Sequence, residues 1–170
     1  MRGPRILYFD RERCVGCHAC ETACKMENNI GVGPKWIEVV EQEFPRGDDT
    51  WLLRFSPMSC RHCTNPLCLA ACPVGAIETD TNGVVLVNKS RCIGCIECLN
   101  VCPFGSPQFG RDGLMEKCTL CAHREPDEPT ACEQLCPVGA ISRTAPAGIS
   151  SQRRKRYLTM ASPLLKAEER

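Results

Sequence analysis

Long apolar runs are missing from this 170-residue chain: no stretch approaches the roughly 20 uninterrupted apolar residues that a membrane-spanning helix needs. Aromatic residues are scarce at 5 %, and although 43 % of the residues count as hydrophobic, that share includes 16 cysteines. The usual materials of a core are thinned, so another source of cohesion is required. Excess charge of one sign is absent too. The 21 Lys and Arg are balanced by 20 Asp and Glu, which removes the broad cationic face that nucleic acid would need. No Walker-type phosphate loop, no G-x-G-x-x-G and no serine elbow occurs, so no substrate site of those kinds is expected. The first ten residues place four apolar side chains, Ile6 to Phe9, directly before Asp10, too short a run for an export segment. A cytoplasmic location is the expectation.

What is present is cysteine, about 9 % of the chain. In a reducing compartment thiols serve better as metal ligands than as disulfides. They fall into four quartets with none left over: Cys14, Cys17, Cys20, Cys24; Cys60, Cys63, Cys68, Cys72; Cys92, Cys95, Cys98, Cys102; and Cys118, Cys121, Cys132, Cys136. The first and third have the spacing C-x2-C-x2-C-x3-C. The second widens one gap to four residues and the fourth widens the same gap to ten. Three thiolates within seven residues suit one compact multi-iron object, whereas tetrahedral zinc usually takes two ligands from each of two separated knuckles. Pro73, Pro103 and Pro137 follow the last cysteine of three quartets, where a fixed φ and a missing donor turn the chain away. Lys25 stands there in the first.

An internal repeat points the same way: Cys72-Pro73-Val74-Gly75-Ala76-Ile77 recurs letter for letter as Cys136-Pro137-Val138-Gly139-Ala140-Ile141. Between quartets two and three, Ala76 to Thr79 and Val84 to Val87 flank Asp80-Thr81-Asn82-Gly83, a hairpin signature. Quartet, hairpin, quartet is the layout of a two-cluster bacterial ferredoxin, in which the fourth cysteine of each run ligates the other run's cluster. The predicted fold is α+β: two ferredoxin-like modules, one nested within the other and stabilised by iron-sulfur clusters. Residues 57–108 form the inner module, 1–27 plus 109–144 the outer one, 28–56 a connecting hairpin and 145–170 a tail. The predicted ligand sets are Cys14, Cys17, Cys20 and Cys136; Cys60, Cys63, Cys68 and Cys102; Cys92, Cys95, Cys98 and Cys72; and Cys118, Cys121, Cys132 and Cys24. Four clusters each held by its own run is the alternative.

The segments Cys14 to Lys25, Cys60-Arg61-His62-Cys63 before Asn65-Pro66, Cys92-Ile93-Gly94-Cys95 and Lys117-Cys118-Thr119-Leu120-Cys121 resemble the iron-sulfur subunits related to the dimethyl sulfoxide reductase electron-transfer subunit. The resemblance covers roughly residues 5 to 143. It implies four 4Fe-4S clusters and one-electron relay between a separate large catalytic subunit, commonly with molybdenum or tungsten, and a second redox protein. The same nested ligation is implied. The chain looks like the compact cytoplasmic versions associated with formate, hydrogenase, carbon monoxide and tungsten aldehyde oxidoreductase systems.

Full ligation leaves no open coordination position for substrate, so a relay rather than an enzyme is expected, with a non-redox metal scaffold as a third class. His18, His62 and His123 read as neighbours of the clusters or as surface residues. Trp36 to Glu41 and Trp51 to Phe55 read as a structural hairpin that also offers a partner surface. Arg153-Arg154-Lys155-Arg156 reads as a solvated basic run, or as a dock for an acidic partner. A cluster row open at both ends permits end-to-end self-association, although no residue demands it.

Overall fold

The computed structural model describes residues 6–125 and 127–165. Its strands pair only two at a time. The elements run β1 (Ile6–Phe9), α1 (Ala19–Glu27), β2 (Ile37–Gly47), β3 (Thr50–Ser59), α2 (Leu67–Ala70), β4 (Ile77–Thr79) and β5 (Val85–Val87). They continue as α3 (Glu97–Asn100), β6 (Gln108–Phe109), β7 (Met115–Glu116), α4 (Ala131–Gln134), β8 (Ile141–Thr144) and α5 (Pro146–Leu165). Each pair is antiparallel: β2 with β3, β4 with β5, β6 with β7, and β1 with β8.

These four ribbons form a pattern. β2 and β3 connect the first cysteine quartet to the second, β4 and β5 the second to the third, β6 and β7 the third to the fourth. The pairing of β1 with β8, in register from Ile6 opposite Thr144 to Phe9 opposite Ile141, brings the two ends of the chain together. Helices pair as well: α1 packs on α4, and α2 on α3. Mixed helix and strand content around short cysteine loops is the ferredoxin-like pattern.

The expected inner hairpin is present, with Ile77 opposite Val87. Its turn is held by Asp80, whose Oδ1 accepts from the amides of Asn82 at 2.8 Å and Val84 at 2.7 Å. The hairpin predicted between residues 28 and 56 is longer than its two apolar runs suggest. Pro45 is paired rather than looped out, a register shift falls between Pro45 and Gly47, and the tip is Asp48-Asp49, both left-handed at φ 49° and 57°. A two-stranded ribbon has only edges, so a proline costs it little.

Residues 145–170 read as a tail in the sequence; within them Pro146 opens the 20-residue helix α5, and 166–170 lie outside the described residues. Proline suits a first helical turn because its absent N–H is unsatisfied there anyway, and Gln152 to Lys155 are good helix formers. Arg153, Arg154 and Lys155 are exposed on it. No helix among the described residues is long and apolar enough to cross a membrane.

Among the described residues the two principal apolar cores both have thiols woven into them, and a small third group joins Ala23, Cys121 and Ala131. The larger gathers Leu7, Phe9, Ile37, Val39, Leu120 and Ile141 around Cys20, Cys24, Cys118 and Cys132. The smaller gathers Ile77, Val85 and Met115 around Cys98.

Candidate iron-sulfur sites

Two largely enclosed, thiol-lined cavities lie inside the protein. One, with about 300 Å³ of space between atoms when its open side is included, is bounded by Cys24, Cys118, Cys121 and Cys132. The other, with about 320 Å³ counted in the same way, is bounded by Cys72, Cys92, Cys95 and Cys98. Each draws three thiols from one run and the last from another. Elsewhere, Cys60 and Cys102 both act electrostatically on Cys68. Cys14 acts on Cys20, and Cys14 and Cys136 both pack against the larger core. Among the described residues no three His, Cys, Asp or Glu side chains converge as they would around a single metal ion.

The loops that carry the thiols are strained in a consistent way. Every quartet holds a left-handed non-glycine residue: His18 at φ 57°, His62 at 46°, Ile96 at 61°, and in the fourth both Leu120 at 54° and Cys121 at 51°. For a β-branched residue such as Ile96 this is a costly conformation, of order 1–3 kcal/mol, which persists only where the surroundings dictate it. The bend lets amides approach sulfur. His62 N–H donates to Cys60 Sγ at 3.5 Å and Leu120 N–H to Cys118 Sγ at 3.4 Å. Further amides reach Cys72 from Ala76, Cys92 from Met115 and Cys136 from Ala140.

Burial is the leading influence on the deepest thiols and pushes them up, Cys20 and Cys118 to about 12, Cys98 and Cys132 to about 11, and Cys24 upward as well. Neighbouring thiols add to the effect. At Cys72 burial also pushes upward but is outweighed by the amides of Ala76, Val74, Ile77 and Gly75, and this thiol is lowered. Free thiols as deeply buried as the first five keep their protons at neutral pH, and iron binding must displace them. Sixteen sulfur donors, amide N–H groups aimed at sulfur and matched cavities suit cubane iron-sulfur clusters.

The four thiol sets are also linked one to the next by electrostatic influence. Charge on Cys132 acts on Cys20, Cys60 on Cys118, and Cys68 on Cys98.

The histidines separate into two kinds. His62 is buried; its Nδ1 accepts the Val85 amide at 3.1 Å, and burial, with help from Lys117, depresses it to about 3. His18 pairs at the surface with Glu21 at 3.1 Å, and His123 with Glu27 at 2.7 Å. Glu27 is also gripped by Arg124, Nε to Oε1 at 2.6 Å and Nη2 to Oε2 at 2.5 Å, which ties α1 to the loop after Cys121.

Several residues around the sites are not marked out by the sequence. Lys117 is buried, and its Nζ donates to the carbonyls of Val85 and Cys118, so the chain entering the fourth quartet is fastened to the inner hairpin. Asn28 and Thr130 bring polar atoms to Cys24 and Cys132. Trp36, read as part of a hairpin, lines the larger core's cavity instead. One signal is available: Arg-Cys-x-Gly-Cys occurs at both Arg13 and Arg91.

A 4Fe-4S dicluster domain matches residues 51–145, and a second 4Fe-4S dicluster domain matches residues 13–76. Two dicluster domains and sixteen cysteines give four 4Fe-4S clusters. The protein is 35 % identical to the B component of the anaerobic dimethyl sulfoxide reductase of Haemophilus influenzae, over 92 % of its own length and 79 % of that relative. It is 36 % identical to the thiosulfate reductase electron transfer subunit of Salmonella typhi, over 80 % of its own length and 73 % of the other. A formate dehydrogenase iron-sulfur subunit from Wolinella succinogenes is 39 % identical over 68 % of the present sequence, which spans 60 % of that relative. The sequence likewise spans 63 % of a relative from Halobacterium salinarum.

Proposed function

Since the chain belongs to the family of 4Fe-4S dicluster iron-sulfur subunits, we propose that it relays single electrons between a catalytic oxidoreductase subunit and a second redox partner. When bound, the clusters supply reversible one-electron storage, with potentials set by hydrogen bonds to sulfur, burial and charge. The chain itself provides ligands, insulation and spacing, and works without a substrate site of its own.

The proposed ligand sets are Cys14, Cys17, Cys20 with Cys136; Cys118, Cys121, Cys132 with Cys24; Cys60, Cys63, Cys68 with Cys102; and Cys92, Cys95, Cys98 with Cys72. The observation that carries this reading is the make-up of the two cavities, each bounded by three thiols of one run and one of another. The three electrostatic links between sets favour a single row in the order just given. An outer module of residues 1–27 and 109–144 around an inner one of 57–108 is supported by the pairing of β1 with β8 and by the packing of α1 on α4 and α2 on α3. The relatives named for dimethyl sulfoxide, thiosulfate and formate chemistry favour a molybdenum or tungsten partner enzyme, and the reading assigns the complex to the cytoplasm.

Anoxic co-purification from the native source, with metal analysis of the accompanying large subunit, tests the assignment. Molybdenum or tungsten in that subunit, and bleaching of this chain's visible absorption by dithionite, are the expected results. Substrate turnover by the isolated chain, or colour indifferent to dithionite, would overturn it.

A further inference from the structure

The two enclosed cavities match in size and thiol count but differ in what else lines them. Around Cys72, Cys92, Cys95 and Cys98 the remaining lining side chains are hydrocarbon or thioether, among them Ile77, Val87, Phe109 and Met115. Around Cys24, Cys118, Cys121 and Cys132 stand polar side chains as well, Asn28, Trp36 and Thr130 among them. Asn28 Nδ2 lies 3.7 Å from Cys24 Sγ, and Thr130 Oγ1 lies 3.3 Å from Cys132 Sγ. Trp36 Nε1 is buried with no hydrogen-bond partner in the protein.

An indole N–H can only donate, and a buried donor left without an acceptor is costly. The cavity that Trp36 lines is made of cysteine sulfur, apolar side chains, Thr119, and Asn28 and Thr130, of which Asn28 Nδ2 and Thr130 Oγ1 are turned to cysteine. We propose that Trp36 Nε1–H donates to sulfur of the cluster held by Cys24, Cys118, Cys121 and Cys132. With Asn28 and Thr130, it makes this cluster retain an electron more readily than the same cluster would without these three side-chain donors. The inference rests on the ligand sets proposed above.

The physical reason is charge. A reduced cluster carries one more negative charge, so its sulfurs are better acceptors and every N–H or O–H aimed at them favours reduction. In the proposed row this site is internal and the hydrocarbon-lined one terminal.

The test is EPR-monitored redox titration of the anoxic four-cluster protein, wild type against Trp36→Phe, which removes the N–H and keeps an aromatic ring. Cys24→Ser and Cys132→Ser identify the cluster: both should perturb the same signal, and perturbation of different signals would refute the ligand sets rather than the role of Trp36. Trp36→Phe should lower the reduced-to-oxidised ratio of that cluster about tenfold at fixed potential, a shift of about 59 mV for one electron. The other three should stay within about twofold. Unchanged titration of that cluster, or an equal shift of all four, would overturn the proposal. If Trp36→Phe fails to hold the cluster, wild-type protein labelled with 15N in the indole decides instead. A 15N hyperfine coupling to that reduced cluster, retained in Trp51→Phe, is expected, and its absence would overturn the proposal.

Discussion

The hexapeptides Cys72 to Ile77 and Cys136 to Ile141 share every residue, and the structure gives them the same shape. In each, the alanine amide donates to the cysteine sulfur at 3.2 Å and the glycine sits at φ 57°. Even the cover is alike: Arg91, which precedes Cys92, lies over Gly75, and Arg13, which precedes Cys14, lies over Gly139. The resemblance ends beyond that. The first copy leads into a short local hairpin, and the second into β8, whose partner β1 comes from the other end of the chain. In the proposed nesting, one local sequence thus serves a contiguous unit and a unit assembled from distant segments. The distant one carries extra ties. Buried Glu21 accepts the Val39 amide at 2.7 Å and pairs with Lys35 at 2.9 Å, and Arg124 clamps Glu27.

Stripping the iron is the harshest way to break the likeness. Because thiols sit in both apolar cores, chelation under reducing conditions should unfold both halves, read as loss of native far-UV circular dichroism. Retention of the native spectrum in either half would separate them. A gentler comparison uses Glu21→Gln, which loosens the proposed outer unit from the connecting segment of residues 28–56 and leaves residues 57–108 untouched. Burial raises the Glu21 carboxyl, but the Val39 amide, Lys35 and His18 outweigh it and hold it below the usual range. A lowered carboxylate stabilises fully above its unfolded pKa of about 4.3 and loses that contribution as pH falls through its folded value. At pH 7 the variant should be less stable by about 1–2 kcal/mol, with the gap narrowing below about pH 4, as followed by thermal loss of visible absorption.

Gly75→Ala and Gly139→Ala should each cost about 1 kcal/mol, since both force an L side chain into the left-handed region. Matching losses of thermal stability would sharpen the likeness, and a difference beyond about 0.5 kcal/mol would break it. The smallest effects belong to the covering arginines. Arg91→Ala, which loses a 3.1 Å bond to the Val74 carbonyl, should cost under about 1 kcal/mol by the same assay, and Arg13→Ala less.

Much of this is legible in the spacing. Cysteine intervals, the prolines after them and the repeated hexapeptide are local features, and local geometry follows from them directly. The hairpin at Asp80 to Gly83 is equally plain, because its turn residues bond their own backbone. Trp36 escapes for the opposite reason. Its neighbours alternate like a strand, and nothing local shows that Trp36 lines the same cavity as Cys24 and Cys118, brought together by packing across the chain. Buried Lys117 is hidden likewise: its acceptor at Val85 is 32 residues away. The helix α5 is masked because Pro146 and Gly148 read as loop, although proline at the start of a helix is favourable.

Total iron in paired cysteine variants tests the cross-ligated arrangement most directly. Cys72→Ala and Cys98→Ala each remove a ligand from one proposed set, so combining them should lose about a quarter of the iron, no more than either alone. Cys72→Ala with Cys68→Ala strikes two sets and should lose about half. The reverse pattern, with Cys68 and Cys72 acting as one site and Cys72 and Cys98 as two, would contradict it.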